Sequence, residues 1–236
     1  MRIISSVPES LFKKIATNPK SQIRNPISQK MNLPNTLSLL RILFAPVFLY
    51  LFLSDSAAMV SASFVVFTIA ALTDWYDGWY ARKYGFKTRW GQFLDPLADK
   101  ILTSAAFIGF YLMKQKDPLF LGGTEFIPVI VLISIIIFRD LVLTVARSIQ
   151  ELRGREFRTS MVSKTKTFIQ MSFIFLIIGI MSLAAVSSPS SLSVSLINYL
   201  HSDINYYILL LITLLTAASG ISYIFESNAS ENETKV

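Results

Sequence analysis

The sequence predicts an all-α integral membrane protein with six transmembrane helices. Three observations carry that prediction. Six apolar runs, at 35–53, 57–82, 91–113, 126–150, 162–186 and 204–225, each come near the ~20 residues that a hydrocarbon core of ~30 Å requires. The basic residues gather on alternate connections between those runs, as in a chain that crosses a bilayer repeatedly. The composition, 53% hydrophobic with only 16% charged residues and a mean hydropathy of +0.52, is too apolar for a soluble domain of 236 residues. Cysteine is absent, which excludes thiol chemistry and cysteine-based zinc sites.

Taken in order, residues 1–30 form a basic N-terminal extension with Arg2, Lys13, Lys14, Lys20, Arg24 and Lys30. It lacks the apolar stretch of a secretory signal and is expected to be mobile apart from a turn or two at 11–15. The six-helix domain follows over 31–226. Its first run opens at Pro34, which suits the first helical position, with Asn35 either a cap or a ligand contact. The second and third runs flank a loop carrying Arg82, Lys83, Lys87 and Arg89. The fourth carries Arg139, Asp140, Leu143 and Arg147 on one helical stripe, and two arginines with an aspartate do not face lipid. The fifth opens with Lys164 and Lys166 behind a loop holding Arg153, Arg155 and Arg158. The sixth ends before a polar acidic tail at 227–236. The opposite connections offer Lys114 and Lys116, with no Lys or Arg at 54–56 or 187–203. The positive-inside rule therefore puts both termini in the cytoplasm. The net charge of +7 reads as topology and contact with anionic membrane lipid, not as nucleic-acid binding.

The most informative segment joins the second and third runs. Asp74, Asp77, Gly78, Ala81 and Arg82 fall on one helical face, and Gly91, Asp95 and Asp99 repeat every fourth residue on another. With the two runs folded as a hairpin, four carboxylates meet at the cytoplasmic surface. Like charges so close repel by several kcal/mol unless cations lie between them. The spacing thus points to a cytoplasm-facing site for two hard divalent metals with oxygen ligands. Arg82, one turn beyond Gly78, is placed to grip phosphate. A charged head group on a lipid tail suits such a site at the interface.

The pattern D-x2-D-G-x2-A-R-x8-G-x3-D-x3-D, matched at every fixed position, resembles the signature of the CDP-alcohol phosphatidyltransferase family. The resemblance implies that CDP-diacylglycerol is the donor and CMP the leaving group, with two Mg²⁺ or Mn²⁺ ions as cofactors. It implies metal ligation by Asp74, Asp77, Asp95 and Asp99, with Asp99 also the catalytic base. It assigns Asn35, Gly78, Arg82 and Gly91 to CDP-diacylglycerol. The first-run segment with Pro34, Asn35 and Arg41 also resembles the family, as does its tendency to form homodimers.

The motif leaves the acceptor open. Arg147, Lys164, Lys166 and Arg139 are placed to hold an anionic acceptor, although Arg139 or Arg147 pairing with Asp140 is an alternative. Within the family, the RD-x6-R and S-K-x-K-T patterns, the MNLPNTLSLLR start and the LTAASGISYI end are similar to the bacterial synthases of phosphatidylglycerophosphate. That similarity implies sn-glycerol 3-phosphate as acceptor and a bacterial inner-membrane location. A cardiolipin synthase using phosphatidylglycerol is the nearest alternative. A divalent-cation transporter is the alternative from another class, against which stands the placing of the acidic residues at one surface.

Overall fold

The computed structural model describes Leu33–Tyr84, Arg89–Leu152 and Met161–Glu233, with side chains for 36–73, Tyr76, 94–150 and 165–220. The basic extension and the 85–88 and 153–160 connections lie outside the described residues. All regular structure among the described residues is helical: α1 (Leu33–Phe52), α2 (Ala57–Tyr84), α3 (Arg89–Lys116), α4 (Val129–Leu152), α5 (Met161–Val186), α6 (Ser191–Leu200) and α7 (Asp203–Glu233).

Six of these helices overlie the six expected spans. By length and composition three stretches of the described residues qualify to cross a membrane: Val129–Gln150, Thr165–Val186 and Ser191–Gly220, the last running through α6 and α7. The apolar parts of α1 and α2 are shorter, Thr36–Phe52 and Ala57–Thr73. Both stretches are bounded by the described side chains, and the motif lies beyond Thr73 on α2 and in the first half of α3. The short helix α6 lies where a loop was expected. Ser190 caps it in a reciprocal box with Ser193, each side chain accepting the other residue's backbone N–H. At the C-terminal end, α7 continues to Glu233, into the stretch whose composition reads as a tail.

Helix α1 packs against α2 and α3, α4 against α3 and α7, and α5 against α2, α6 and α7. Phenylalanines fill the centre. Phe48 and Phe52 of α1 stack at 5.5 Å, Phe48 meets Phe67 of α2 at 5.3 Å, and Phe52 meets Phe110 of α3 at 5.9 Å. Phe110 meets Phe173 of α5 edge-on at 6.1 Å, the geometry that ring quadrupoles favour. Gly109 permits this fit, since a Cβ there would stand 3.0 Å from a Phe52 ring carbon. Outward, Phe138 and Phe168 are 72% and 73% exposed, along with Leu43, Val47, Tyr50 and Leu214. So much exposed apolar surface around the helices suits hydrocarbon, not water.

One end of the bundle is tied by polar clasps. Asp203 accepts from the amides of Gly123 (2.8 Å) and Thr124 (3.0 Å) and from the Thr124 hydroxyl (3.0 Å). Gly122 has φ +95, and a Cβ there would come within 2.7 Å of Asp203. Lys114 donates to the Pro118 carbonyl at 2.6 Å and pairs with Glu125 at 3.0 Å, and His201 bonds Asp117 at 2.7 Å. These contacts fasten the α3–α4 connection to the α6–α7 corner. The opposite end carries the expected site.

Candidate active site

Asp74, Asp77, Gly78 and Arg82 lie on α2, and Gly91, Asp95 and Asp99 on α3, so the motif straddles one junction. The side chains of Asp74, Asp77, Gly78, Arg82, Gly91, Asn35 and Lys164 lie outside the described residues. Those of Asp95, Asp99, Arg139, Arg147 and Lys166 are described.

Asp95 and Asp99 stand one turn apart on α3, both partly buried. Pro96 between them removes one rung of the helical ladder. The Ser38 hydroxyl of α1 donates to Asp95 Oδ1, and the fully buried Arg41, one turn further along α1, acts on Asp95 electrostatically. Packing of α1 on α3 thus supplies Asp95 with a hydroxyl that orients it and a charge that balances it. Ser38 was not read as part of the site, although its place three residues before Arg41 puts both on one face. Asp99 Oδ2 accepts from Lys100 at 2.9 Å, so positive charge already sits on that carboxylate.

Deeper lies a second charged group. Asp140 of α4 is 4% exposed, and its Oδ1 accepts from Lys166 of α5 and, at 3.0 Å, from Arg139. Arg139 also donates to the Ser219 hydroxyl of α7 at 2.7 Å. Gly220 makes room for the arginine stem, since a Cβ there would lie 3.3 Å from Arg139 Cγ. Helix α3, which carries Asp99 and Lys100, packs against α4, which carries Asp140 and Arg139 of this group. Arg139 and Lys166, expected to hold an acceptor's phosphate, therefore both converge on Asp140. Arg147, two turns nearer the α4 C-terminus, is partly exposed. Lys100 and Ser219 were not among the expected site residues. The first is signalled only by adjoining Asp99, and the second only by tertiary packing.

The sequence profile of the CDP-alcohol phosphatidyltransferases matches residues 31–216, most of the chain. The chain belongs to the CDP-alcohol phosphatidyltransferase family. Among curated relatives, CDP-diacylglycerol–glycerol-3-phosphate 3-phosphatidyltransferase of Wigglesworthia glossinidia brevipalpis is 35% identical over 176 residues, which is 70% of this chain and 91% of that protein. The protein of the same name from Bacillus subtilis is 35% identical over 152 residues, covering 59% of this chain and 72% of its own length. That of Rickettsia bellii is 34% identical over 140 residues, or 59% and 71%. Family membership makes the chain a transferase of phospholipid biosynthesis, and its apolar helices fit a membrane protein.

The residues present suit a hard divalent cation in donor chemistry. Asp95 and Asp99 offer carboxylate oxygens one turn apart, the ligand type that Mg²⁺ and Mn²⁺ take. The Ser38 hydroxyl on Asp95 is the kind of outer hydrogen bond that fixes a ligand's orientation. Among the described residues no three acidic or histidine side chains come together. The expected completion, Asp74 and Asp77, lies outside the described side chains.

Proposed function

We propose that this phosphatidyltransferase moves the phosphatidyl group of CDP-diacylglycerol to sn-glycerol 3-phosphate, giving phosphatidylglycerophosphate and CMP. The observation that carries the reading is the packing of α3, with Lys100 on Asp99, against α4, where Arg139 and Lys166 of α5 meet on Asp140. A hydroxyl presented to Asp99 and an anionic end directed at the cations is the layout of a phosphorylated alcohol. The shared name of the relatives supports the same acceptor.

In this reading the chain spans the bacterial inner membrane six times, with both termini in the cytoplasm, and works as a homodimer. Asp74, Asp77, Asp95 and Asp99 hold two divalent ions, Mg²⁺ or Mn²⁺. When bound, such ions neutralise the diphosphate and ease departure of CMP. Asn35, Gly78, Arg82 and Gly91 receive the cytidine nucleotide, with Arg82 gripping phosphate bidentately. Asp99 takes the proton of the acceptor's primary hydroxyl as that oxygen attacks the β-phosphorus, and CMP leaves. Arg147 and Lys164 meet the acceptor's phosphate from the cytoplasmic side. Lys166 and Arg139, held by Asp140, provide positive charge behind it. The acyl chains of the donor leave sideways into lipid.

The test is CMP release from purified protein given CDP-diacylglycerol, Mg²⁺ or Mn²⁺, and separate acceptors. Glycerol 3-phosphate should drive release. Preference for phosphatidylglycerol would overturn the acceptor, and no release with any alcohol would overturn the activity.

A further inference from the structure

Several hydroxyls inside this bundle serve their own helix. Thr68, Thr213 and Thr216 each donate to the carbonyl four residues back, the ordinary way for a helical hydroxyl to be satisfied in apolar surroundings. Ser38 does something else. It is fully enclosed on α1, in a run of leucines, yet its hydroxyl crosses to α3 and donates to Asp95 Oδ1. Asp99, one turn further along α3, is held in another way, by the ammonium group of the adjoining Lys100 at 2.9 Å.

The two kinds of partner differ in what they leave for a cation. A lysine cancels the charge of its carboxylate. A hydroxyl fixes a carboxylate's orientation and leaves its negative charge intact, as the outer hydrogen bonds of metal ligands do. With Oδ1 tied to a neighbouring helix, the Asp95 carboxyl is restrained from turning about its bond to Cβ. We propose that Ser38 is a positioning residue for the divalent cation: acting from α1 through Asp95, it sets the affinity with which the ion is held. Metal affinity would then depend on a helix outside the aspartate motif, through the docking of α1 on α3. This inference rests on the reading of Asp95 as a metal ligand, and its test separates the two.

Mn²⁺ titrated into the purified protein in detergent micelles, with free Mn²⁺ followed by its electron paramagnetic resonance signal, reads affinity without turnover. Loss of an outer hydrogen bond of this kind should weaken Mn²⁺ binding in Ser38→Ala about ten- to a hundredfold. The Mn²⁺ concentration for half-maximal CMP release should rise in step, with kcat at saturating metal staying within about threefold of wild type. Alanine is a better helix former than serine, so α1 itself is not weakened. Ser38→Thr keeps a hydroxyl on Cβ and should bind Mn²⁺ within about threefold of wild type. Thr103→Val is the control. It removes a buried hydroxyl of α3 that donates to the Asp99 and Lys100 carbonyls of its own helix, and it should leave Mn²⁺ affinity unchanged. Should the added methyl keep Ser38→Thr from inserting, Ser38→Ala and Thr103→Val decide between them. Wild-type Mn²⁺ affinity in Ser38→Ala overturns the proposal. So does an equal loss in Thr103→Val, which would make the effect one of general packing, or a fall in kcat that added metal does not restore. If the wild type itself binds no Mn²⁺, the metal-site reading fails instead.

Discussion

The ion pair between Lys166 and Asp140 gives the sharpest test of how this bundle is held together. Both side chains are almost wholly enclosed, 2% and 4% exposed, and they join α5 to α4 across the interior. Removing one member of a buried pair typically costs about 3–5 kcal/mol, because the survivor remains in low dielectric without its partner. The two single variants should differ within that range. Lys166→Met leaves Asp140 with Arg139 at 3.0 Å, so its cost falls near the lower end, about 3 kcal/mol. Asp140→Leu strands both Lys166 and Arg139, and its cost should approach about 5 kcal/mol. The double variant removes one charge of each sign and leaves Arg139 donating to Ser219, so it should be more stable than Asp140→Leu alone. Thermal unfolding in detergent micelles reads these differences. At about 2–4 °C per kcal/mol for a chain of this size, Lys166→Met should melt about 6–12 °C below wild type. A melting point within about 2 °C of wild type for Lys166→Met, or strictly additive losses in the double variant, would refute the pairing and the reasoning built on it.

Other perturbations address the remaining assignments. Asp74→Ala, Asp77→Ala and Asp95→Ala should each abolish CMP release at saturating metal while leaving the helical circular dichroism unchanged; any one of them keeping near wild-type turnover would count against the two-metal site. Arg147→Gln should raise the KM for glycerol 3-phosphate about ten- to a hundredfold with little change for CDP-diacylglycerol, and Arg82→Gln should show the opposite bias in the same assay. Tags before Met1 and after Val236 should be protected from external protease in intact cells, and a tag near Ser190 should be cleaved. A chain beginning at Met31 should keep its catalytic rate once inserted, measured per inserted molecule.

Helix placement was legible because length and hydropathy decide it. The expected second, third and fifth spans, 57–82, 91–113 and 162–186, fall within or on Ala57–Tyr84, Arg89–Lys116 and Met161–Val186. Helix α6 was not legible. Leu192, Val194 and Leu196 alternate with serines, a period of two that masks a helix, and the Ser190 cap is the one local signal of its start. The carboxylate register on α3 could be read because it depends on one helix alone. The partners of those carboxylates could not. Ser38 reaches Asp95, and Ser219 receives Arg139, only after α1 and α7 have docked, and nothing in local spacing encodes either contact. For Arg139 the apolar helix around it required that the charge turn inward, whereas Lys166 was read as lying near the cytoplasmic surface; tertiary packing buries it and makes Asp140 the common partner of both.

Charge balance at the active end favours an enzyme of anionic substrates over a cation conduit. A charge at membrane depth costs about 2.5–3.5 kcal/mol even on lenient scales, so the charges that persist there must be answered by something. Among the described side chains at this end, Asp95, Asp99 and Asp140 supply three negative charges, against five positive ones from Arg41, Lys100, Arg139, Arg147 and Lys166. A diphosphate and an acceptor phosphate suit the described cations, and Asp74 and Asp77 on α2 would match metal ions entering with the diphosphate. Arg139, Arg147 and Lys166 stand on α4 and α5 with Asp140 as the acidic partner of two of them, and it is there that a phosphorylated alcohol gains most by binding.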